Sequence, residues 1–289
     1  MLALPASIQR IAPFPTLALE LLNLVPTITA DEGKLRQMLE PQVRLIGEIV
    51  RVVTGRDPRG AAGVTLDTML EELGPAKLAE IAFTILLRDY MRGTFELSEG
   101  VRYWRYLLAC GFCCAEVAPP NPPKRLAAYA AGLLHDIGRL ALIASYPGRY
   151  ANLLALIDRM FEADQPFDVS RQETILFGMD RFATGGWLAA AWNLPAWLRP
   201  VVGKFDKAIA DKENLVETVR AGTRIANSLG FGYLKGAPRM DIRKILSGLP
   251  AAFDHWKALD QWQLGEEHMQ AKIQAALSLF GIGSVESNN

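Results

Sequence analysis

The adjacent residues His135 and Asp136 are the pair in this sequence best suited to chemistry. An imidazole and a carboxylate can together hold a divalent metal ion, which turns a bound water into a nucleophile. The pair lies in residues 126–145, LAAYAAGLLHDIGRLALIAS, a stretch that is otherwise almost entirely apolar. A helix that is apolar all round is buried, so an ionised Asp136 needs compensating partners there. Arg139 lies three residues further on, within reach along one helix face.

Two hypotheses for this pair stay open on the residues alone. In the functional one, Gly132 and Gly138 remove side-chain bulk on either side, so that a neighbouring backbone, an ion or a ligand can approach. In the structural one, His135 and Asp136 belong to the core and neighbouring helices satisfy them.

Cys110, Cys113 and Cys114 form a second cluster of reactive residue types. A zinc site needs about four ligands, and a redox-active C-x-x-C usually opens a helix in a fold that contains strands. These cysteines instead lie inside a predicted helix, with no second cysteine pair and no histidine close in sequence. We expect buried packing residues in a protein of the reducing cytoplasm.

The overall composition argues against several classes of partner. Lysine plus arginine equals aspartate plus glutamate at 31 each, whereas nucleic-acid-binding domains normally carry a basic surplus. Half of the 289 residues are hydrophobic, enough for a sizeable core. No run reaches the roughly 18 uninterrupted apolar residues of a membrane span, and prolines interrupt the N-terminal residues where an export signal would lie. We therefore expect no membrane association and no nucleic-acid partner.

The elements that must position these residues are helices, because apolar residues recur at spacings of three, four and seven. Gly74-Pro75 separates two predicted helices, 65–73 and 75–92, and no convincing strand pattern is present. Further helices are predicted over 16–24, 41–53, 98–118, 123–145, 147–163, 170–177, 181–192, 196–210 and 212–229. The sequence therefore predicts an all-α fold with helices packed on helices.

The character of the chain changes after residue 233. The residues KGAPRMD resemble a linker, and amphipathic helices are predicted over 240–248, 250–259 and 265–279. The final residues, SVESNN, are predicted to be a disordered tail. We expect this segment to pack on the main body or on a partner.

The residues GLLHDIGRL at 132–140 resemble the signature of the HD superfamily. Their surroundings resemble more narrowly the HDOD domain, a bacterial signalling module related to HD phosphohydrolases, over about residues 5–232. The other matching stretches are PFP at 13–15, EP at 40–41, ELGPAKLAEIA at 72–82, Trp104, Tyr146-Pro147, FGMDRFATGGWLAAAWNLP at 177–195 and IANSLGFG at 225–232. The resemblance implies two helical lobes, 1–95 and a degenerate HD-like lobe 96–232, followed by a C-terminal helical extension, 233–289.

A hydrolytic HD site resembles the pattern H…HD…D around a metal ion. The only histidines of this chain are His135, His255 and His268, so the upstream histidine is missing. The resemblance places Tyr106 where that histidine would be and Thr223 near the final aspartate. With two protein ligands instead of four, a metal ion would be held weakly.

Cations stand at two further positions where the resemblance implies histidines. Arg181 lies in GMDRFATGG, and Lys204, followed by Phe205, replaces a His-His pair. An anion pocket is therefore predicted from Asp136, Arg139, Arg181, Lys204 and Arg220. These cations would replace the positive charge of a metal, either to compensate Asp136 structurally or to hold a phosphate or carboxylate.

The main expectation is a non-enzymatic signal-transduction protein, a pseudoenzyme with a vestigial HD motif and with no metal and no cofactor. It would bind another signalling protein in trans or a small anionic effector, because no receiver or cyclic-dinucleotide domain pattern appears in the chain. One alternative is a metal-dependent phosphohydrolase or phosphodiesterase that uses His135 and Asp136 with Asp158 or Asp180. A second alternative is an anion or nucleotide sensor built on the predicted anion pocket.

Overall fold

The computed structural model describes residues 6–57, 63–94, 98–203, 215–235, 239–249 and 259–279. Within these ranges the regular elements are helices and no strand occurs, which confirms the all-α prediction. The α-helices are α1 (Ala6–Gln9), α2 (Thr16–Leu24), α3 (Glu32–Leu39), α4 (Val43–Thr54), α5 (Leu66–Met91), α6 (Ser98–Val117), α7 (Pro122–Leu134), α8 (Ile137–Ser145), α9 (Pro147–Glu162), α10 (Val169–Phe177), α11 (Arg181–Ala191), α12 (Arg199–Val202), α13 (Leu215–Ala226), α14 (Ile242–Ser247) and α15 (Leu259–Leu279). A π-helical turn, Asn227–Phe231, follows α13.

The long helix α5 contains the interruption that Gly74-Pro75 predicts. Gly74 has φ +74° and ψ 161°, a conformation that glycine adopts without a steric penalty. Proline then begins the second helical segment, since its missing N–H costs nothing at a helix start. The two predicted helices are therefore two segments of α5 that meet at a kink.

The single helix predicted over 123–145 is wrong at its centre. Helix α7 ends at Leu134 and α8 begins at Ile137, and Asp136 is the N-cap residue of α8 with φ −115° and ψ 30°. On either side of the break, α7 and α8 pack closely against different helices. A side chain at Gly132 would lie 2.7 Å from the carbonyl oxygen of Cys110 in α6, and one at Gly138 would clash with the backbone of α11.

Helix α7 joins the N-terminal helices to the HD-like helices. It packs against α5 and also against α6 and α13. The buried hydroxyl groups of Thr84 in α5 and Tyr129 in α7 are 2.7 Å apart and hydrogen-bonded. The HD pair at the end of α7 is thus fixed to the shared core.

Residues Pro122–Ser145, which span α7 and α8, are long and apolar enough to cross a membrane by length and composition. The sequence criterion of an uninterrupted apolar run excluded this stretch, because His135, Asp136 and Arg139 interrupt it. In the structure, 94% of its 18-residue window is buried inside the protein. That burial is what a core helix of a globular fold shows.

The three cysteines lie in the contact between α6 and its neighbours. Cys110, Cys113 and Cys114 are fully buried free thiols, as the packing prediction expects. Burial raises the pKa of all three thiols, so the reactive thiolate form is disfavoured.

The C-terminal helix α15 packs on α6 of the main body. The ammonium of Lys272 lies 2.8 Å from the Glu116 carboxylate and 5.2 Å from the centre of the Phe112 ring, and Ile273 is fully buried. The predicted helix 240–248 corresponds to α14. The predicted helix 250–259 falls almost entirely outside the described residues, as does the polar tail.

Candidate functional site

Four structural elements meet around the HD pair and enclose a pocket of about 190 Å³. Helix α6 contributes one residue and the start of α11 contributes two. The α7–α8 break and the first turn of α8 contribute three, and one face of α13 completes the pocket. The lining residues are Tyr106, His135, Asp136, Arg139, Arg181, Phe182, Arg220, Thr223 and Arg224. We call this the arginine pocket.

His135 is held by hydrogen bonds at both ring nitrogens. Its Nδ1 lies 2.8 Å from the carbonyl oxygen of Gly132, and since a carbonyl only accepts, Nδ1 carries the proton and donates it. The hydroxyl of Tyr106 lies 3.0 Å from Nε2 and donates to it in the neutral imidazole. Burial lowers the pKa of His135, which favours this neutral form.

Asp136 faces two guanidinium groups. Nε of Arg139 donates to its Oδ2 at 2.6 Å, and Nε of Arg181 lies 3.7 Å from its Oδ1. The Asp136 side chain is only 8% exposed. The hydroxyl of Tyr103 also donates to its backbone carbonyl oxygen. Asp136 is therefore a compensated buried carboxylate.

A second buried carboxylate, that of Glu173 in α10, accepts hydrogen bonds from Arg181. Its Oε2 accepts from Nη1 of Arg181 at 3.1 Å and from the backbone N–H of Arg181 at 3.0 Å. Its Oε1 accepts from the hydroxyl of Tyr150 at 2.6 Å. Glu173 was not predicted from the sequence, although it lies four residues from Val169 and from Phe177, both on the buried face of α10.

Arg139 is the most deeply placed cation of the pocket, with a side chain 7% exposed. Burial acts to lower its pKa, but the adjacent Asp136 carboxylate more than offsets this, and the pKa stays well above its ordinary value. Its guanidinium carbon lies 5.1 Å from the centre of the Tyr233 ring, within cation–π range. Its Nη1 is buried and has no hydrogen-bond partner among the described residues.

Helix α13 closes the pocket with Arg220, Thr223 and Arg224, which share one helix face. Nη1 of Arg220 lies 2.6 Å from the Glu217 carboxylate, and both side chains are partly exposed. Arg224 is exposed at the rim. Arg224 and Phe182 were not predicted as pocket residues from the sequence, although Arg224 lies four residues after Arg220.

The predicted anion pocket is thus assembled in the part that the structure describes. Asp136, Arg139, Arg181 and Arg220 line one cavity, while Lys204 lies outside the described residues. That these side chains bind an anion stays a prediction.

The carboxylates suggested for a hydrolase have other partners. Asp158 accepts from Arg102 at 3.2 Å and from the backbone of Lys235 at 2.8 Å. Asp180 caps α11 by accepting from the backbone N–H of Ala183 at 2.7 Å. Neither aspartate lines the arginine pocket.

A divalent metal ion does not fit the donors that the described residues present. They contain no group of three or more histidine, cysteine, aspartate or glutamate side chains able to hold an ion. The lone pair of His135 Nε2 faces a hydroxyl donor, and the Asp136 carboxylate faces two guanidinium groups that repel a cation. The chemistry of this donor set suits an anion better.

A more apolar cavity of about 410 Å³ lies along the opposite side of α8, lined by Ile137, Leu140, Ala141 and Ala144 and by residues near Tyr90 and Trp192. It contains no carboxylate and no histidine. The described residues of its lining therefore offer no carboxylate or imidazole for acid–base chemistry or metal binding, although the cavity is larger than the arginine pocket.

Comparisons with known proteins agree on the fold. The family model of the HDOD domain matches residues 11–206. An HDOD domain protein of unknown function from Geobacter sulfurreducens superposes with a TM-score of 0.65 at 19% identity, covering 96% of this chain and 94% of that one.

Two further solved structures are similar. A provisionally assigned signal transduction protein from Marinobacter aquaeolei has a TM-score of 0.65 at 18% identity over 96% of this chain and 64% of its own. A provisionally assigned phosphohydrolase from Shewanella amazonensis has a TM-score of 0.58 at 18% identity, over 96% of each chain. At these identities the likeness concerns the fold alone. No curated protein shows significant sequence similarity to the chain.

Proposed function

Because this chain belongs to the HDOD domain family, we propose that it is a regulatory protein that transmits a signal by binding and catalyses no reaction at its HD motif. The observation that carries the proposal is the state of the motif's ligand atoms. His135 Nε2 accepts from Tyr106, and the Asp136 carboxylate is held by Arg139 and Arg181. Atoms that would bind a metal in a hydrolase are here used to hold the protein together.

Hydrolysis at an HD site depends on a metal that activates water, and such a metal needs several protein ligands and an open position. Tyr106 stands where the resemblance implies a histidine ligand, and Thr223 stands where it implies an aspartate. The arginine side chains add positive charge in place of the ion. On this proposal the motif is a remnant of a metal site that now serves structure and ligand binding.

The signal would pass to another protein in trans or come from a small anionic effector in the arginine pocket. The setting proposed is the bacterial cytoplasm, which the family resemblance implies and with which the three free buried thiols agree.

The proposal is tested by measuring hydrolysis of a generic phosphomonoester and a generic phosphodiester with Mn²⁺, Fe²⁺, Zn²⁺ or Mg²⁺ present. Wild type is compared with the His135→Ala/Asp136→Ala double variant and with His135→Gln, which disturbs packing less. No rate above background supports the proposal, as does a trace rate that all three proteins share. A rate that is lost in both variants would overturn it and establish the phosphohydrolase alternative.

A further inference from the structure

The apolar cavity on the other side of α8 from the arginine pocket has the size of a small-molecule site. Its volume of about 410 Å³ lies within the roughly 300–1,000 Å³ of pockets that bind small ligands. It corresponds to about fourteen water molecules at about 30 Å³ each, and so to a ligand of at most about that many non-hydrogen atoms. Arg10, Ala12 and Ala144 line it and are exposed, so they form a rim that is open to solvent. We call this cavity the α8 cleft.

Aromatic rings give one wall of the α8 cleft a fixed shape. Tyr90 and Trp192 line this wall, and Phe14 packs against both of them, stacked on Trp192 with ring centres 5.2 Å apart and edge-on to Tyr90 at 5.7 Å. The hydroxyl of Tyr90 donates to the carbonyl oxygen of Ala12 at 2.7 Å, which fixes the N-terminal segment against α5. Since these side chains are already held in place, a ligand can bind without having to order them.

The facing wall of the α8 cleft is the apolar side of α8. Its residues recur at helical spacings of three and four and are Ile137, Leu140, Ala141 and Ala144. Because none of these side chains is polar, the wall favours apolar groups of a ligand. The other side of the same helix carries Arg139, which holds Asp136. A ligand in the cleft would thus contact the helix that supports the HD pair.

The rim of the cleft carries positive charge. Among the described residues of the lining, only Arg10 is charged. Arg10 is exposed and takes part in no ion pair among the described residues. A single guanidinium matches one negative charge, as in an arginine–carboxylate pair, whereas half of the double charge of a phosphate would stay uncompensated. The lining therefore combines an apolar interior with a place for one monoanionic group.

We propose that the α8 cleft binds a small amphipathic monocarboxylate, with its apolar body between α8 and the wall of Tyr90 and Trp192 and its carboxylate beside Arg10. A carboxylic acid is ionised at neutral pH, and at the exposed rim its charge stays in contact with water, so no desolvation of the charge opposes binding. Octanoate, with ten non-hydrogen atoms, is below the limit of about fourteen that the volume sets. This site is separate from the arginine pocket and does not depend on whether the HD pair holds a metal.

The test is isothermal titration calorimetry of the full chain with octanoate, hexanoate and the uncharged 1-octanol. Arg10→Gln removes the rim charge, and its matched control Arg159→Gln removes an exposed arginine of α9 outside the cleft. Ala144→Leu adds bulk at the rim of the cleft, and its matched control Ala155→Leu adds the same bulk at an exposed position of α9. All four positions are exposed, so these substitutions preserve folding, which urea denaturation verifies.

We expect octanoate to bind wild type one to one. Each buried methylene contributes about fourfold in affinity, so octanoate should bind about fifteenfold more tightly than hexanoate. Arg10→Gln should weaken octanoate by about twofold to fivefold, as the loss of an exposed ion pair does, and should leave octanol unchanged. Ala144→Leu should weaken octanoate and octanol by about fivefold or more, because the added side chain occupies the space of the ligand. Both control variants should bind as wild type does.

Absence of octanoate binding, or binding that Ala144→Leu leaves unchanged, would overturn the assignment of the ligand to the α8 cleft. Octanol that binds as tightly as octanoate would refute the carboxylate as part of the ligand. Equal weakening of octanoate in Arg10→Gln and Arg159→Gln would refute the contact with Arg10. Each of these failures would leave the proposed function standing, because that function is tested separately by hydrolysis and by metal content.

Discussion

The hydroxyl group of Tyr106 allows a direct test of how the HD pair is held. Its oxygen lies 3.0 Å from Nε2 of His135, and the two residues are 9% and 6% exposed. Because Nδ1 of His135 donates to Gly132, Nε2 is the acceptor for this hydroxyl. Tyr106→Phe would take that donor away and change nothing else in the covalent structure.

A buried acceptor that loses its donor costs about 1–3 kcal/mol. We therefore expect Tyr106→Phe to lower the free energy of unfolding by about 1–3 kcal/mol, measured by urea denaturation. For a chain of this length about 2 °C of melting temperature corresponds to 1 kcal/mol, so the melting temperature should fall by about 2–6 °C.

The matched control is Tyr90→Phe. The hydroxyl of Tyr90 donates to the carbonyl oxygen of Ala12 at 2.7 Å, but Tyr90 is only partly buried, and water can replace the lost bond. Its loss should be about 1 kcal/mol or less. If Tyr106→Phe destabilises the protein no more than Tyr90→Phe, the hydroxyl does not hold His135 and the account of the motif is refuted.

Three further predictions concern the same site. Tyr106→His combined with Thr223→Asp would supply the two ligands missing from the H…HD…D pattern, so this double variant should bind Mn²⁺ more tightly than wild type by calorimetry; equal affinity would contradict the ligand count. Glu173→Gln removes the fully buried of the two carboxylates that face Arg181 and should lower the free energy of unfolding in urea by about 3–5 kcal/mol, whereas a loss under about 1 kcal/mol would mean that Asp136 alone compensates Arg181. Burial holds the pKa of His135 below its ordinary value of 6.5, so the unfolded chain takes up this proton first and stability is lost as the pH falls below 6.5. His135→Gln should flatten the dependence of melting temperature on pH between about 7 and 5, and an unchanged slope would show that His135 is not the group responsible.

Much of the fold could be predicted from the sequence, because helix periodicity and Gly-Pro punctuation act locally. Gly74-Pro75 predicts the kink of α5, and the helices Thr16–Leu24 and Pro147–Glu162 lie where the apolar pattern indicates. The break between α7 and α8 could not be found in this way, since the apolar pattern continues on both sides of His135. The two helices that meet there pack closely at Gly132 and Gly138 against α6 and α11, contacts that involve helices distant in the sequence.

Only part of the candidate site could be predicted from the sequence. Arg181 could be placed by its spacing within a family pattern, and it lies 3.7 Å from Asp136. Glu173 belongs to no motif, and its role follows from the packing of α10 beside the start of α11. Arg224 belongs to no motif found in the sequence, and only the placement of α13 beside the HD pair brings it to the rim of the pocket.

The amount of bound metal tests most directly the central claim that His135 and Asp136 hold no metal ion. The protein would be expressed in medium supplemented with manganese, iron and zinc, purified without chelator or metal-affinity resin, and analysed for bound metals by mass spectrometry beside His135→Ala. The account predicts metal far below one ion per chain in both proteins, because the ligand atoms of His135 and Asp136 are engaged by Tyr106, Arg139 and Arg181. Near-stoichiometric metal in wild type that disappears in His135→Ala would contradict it.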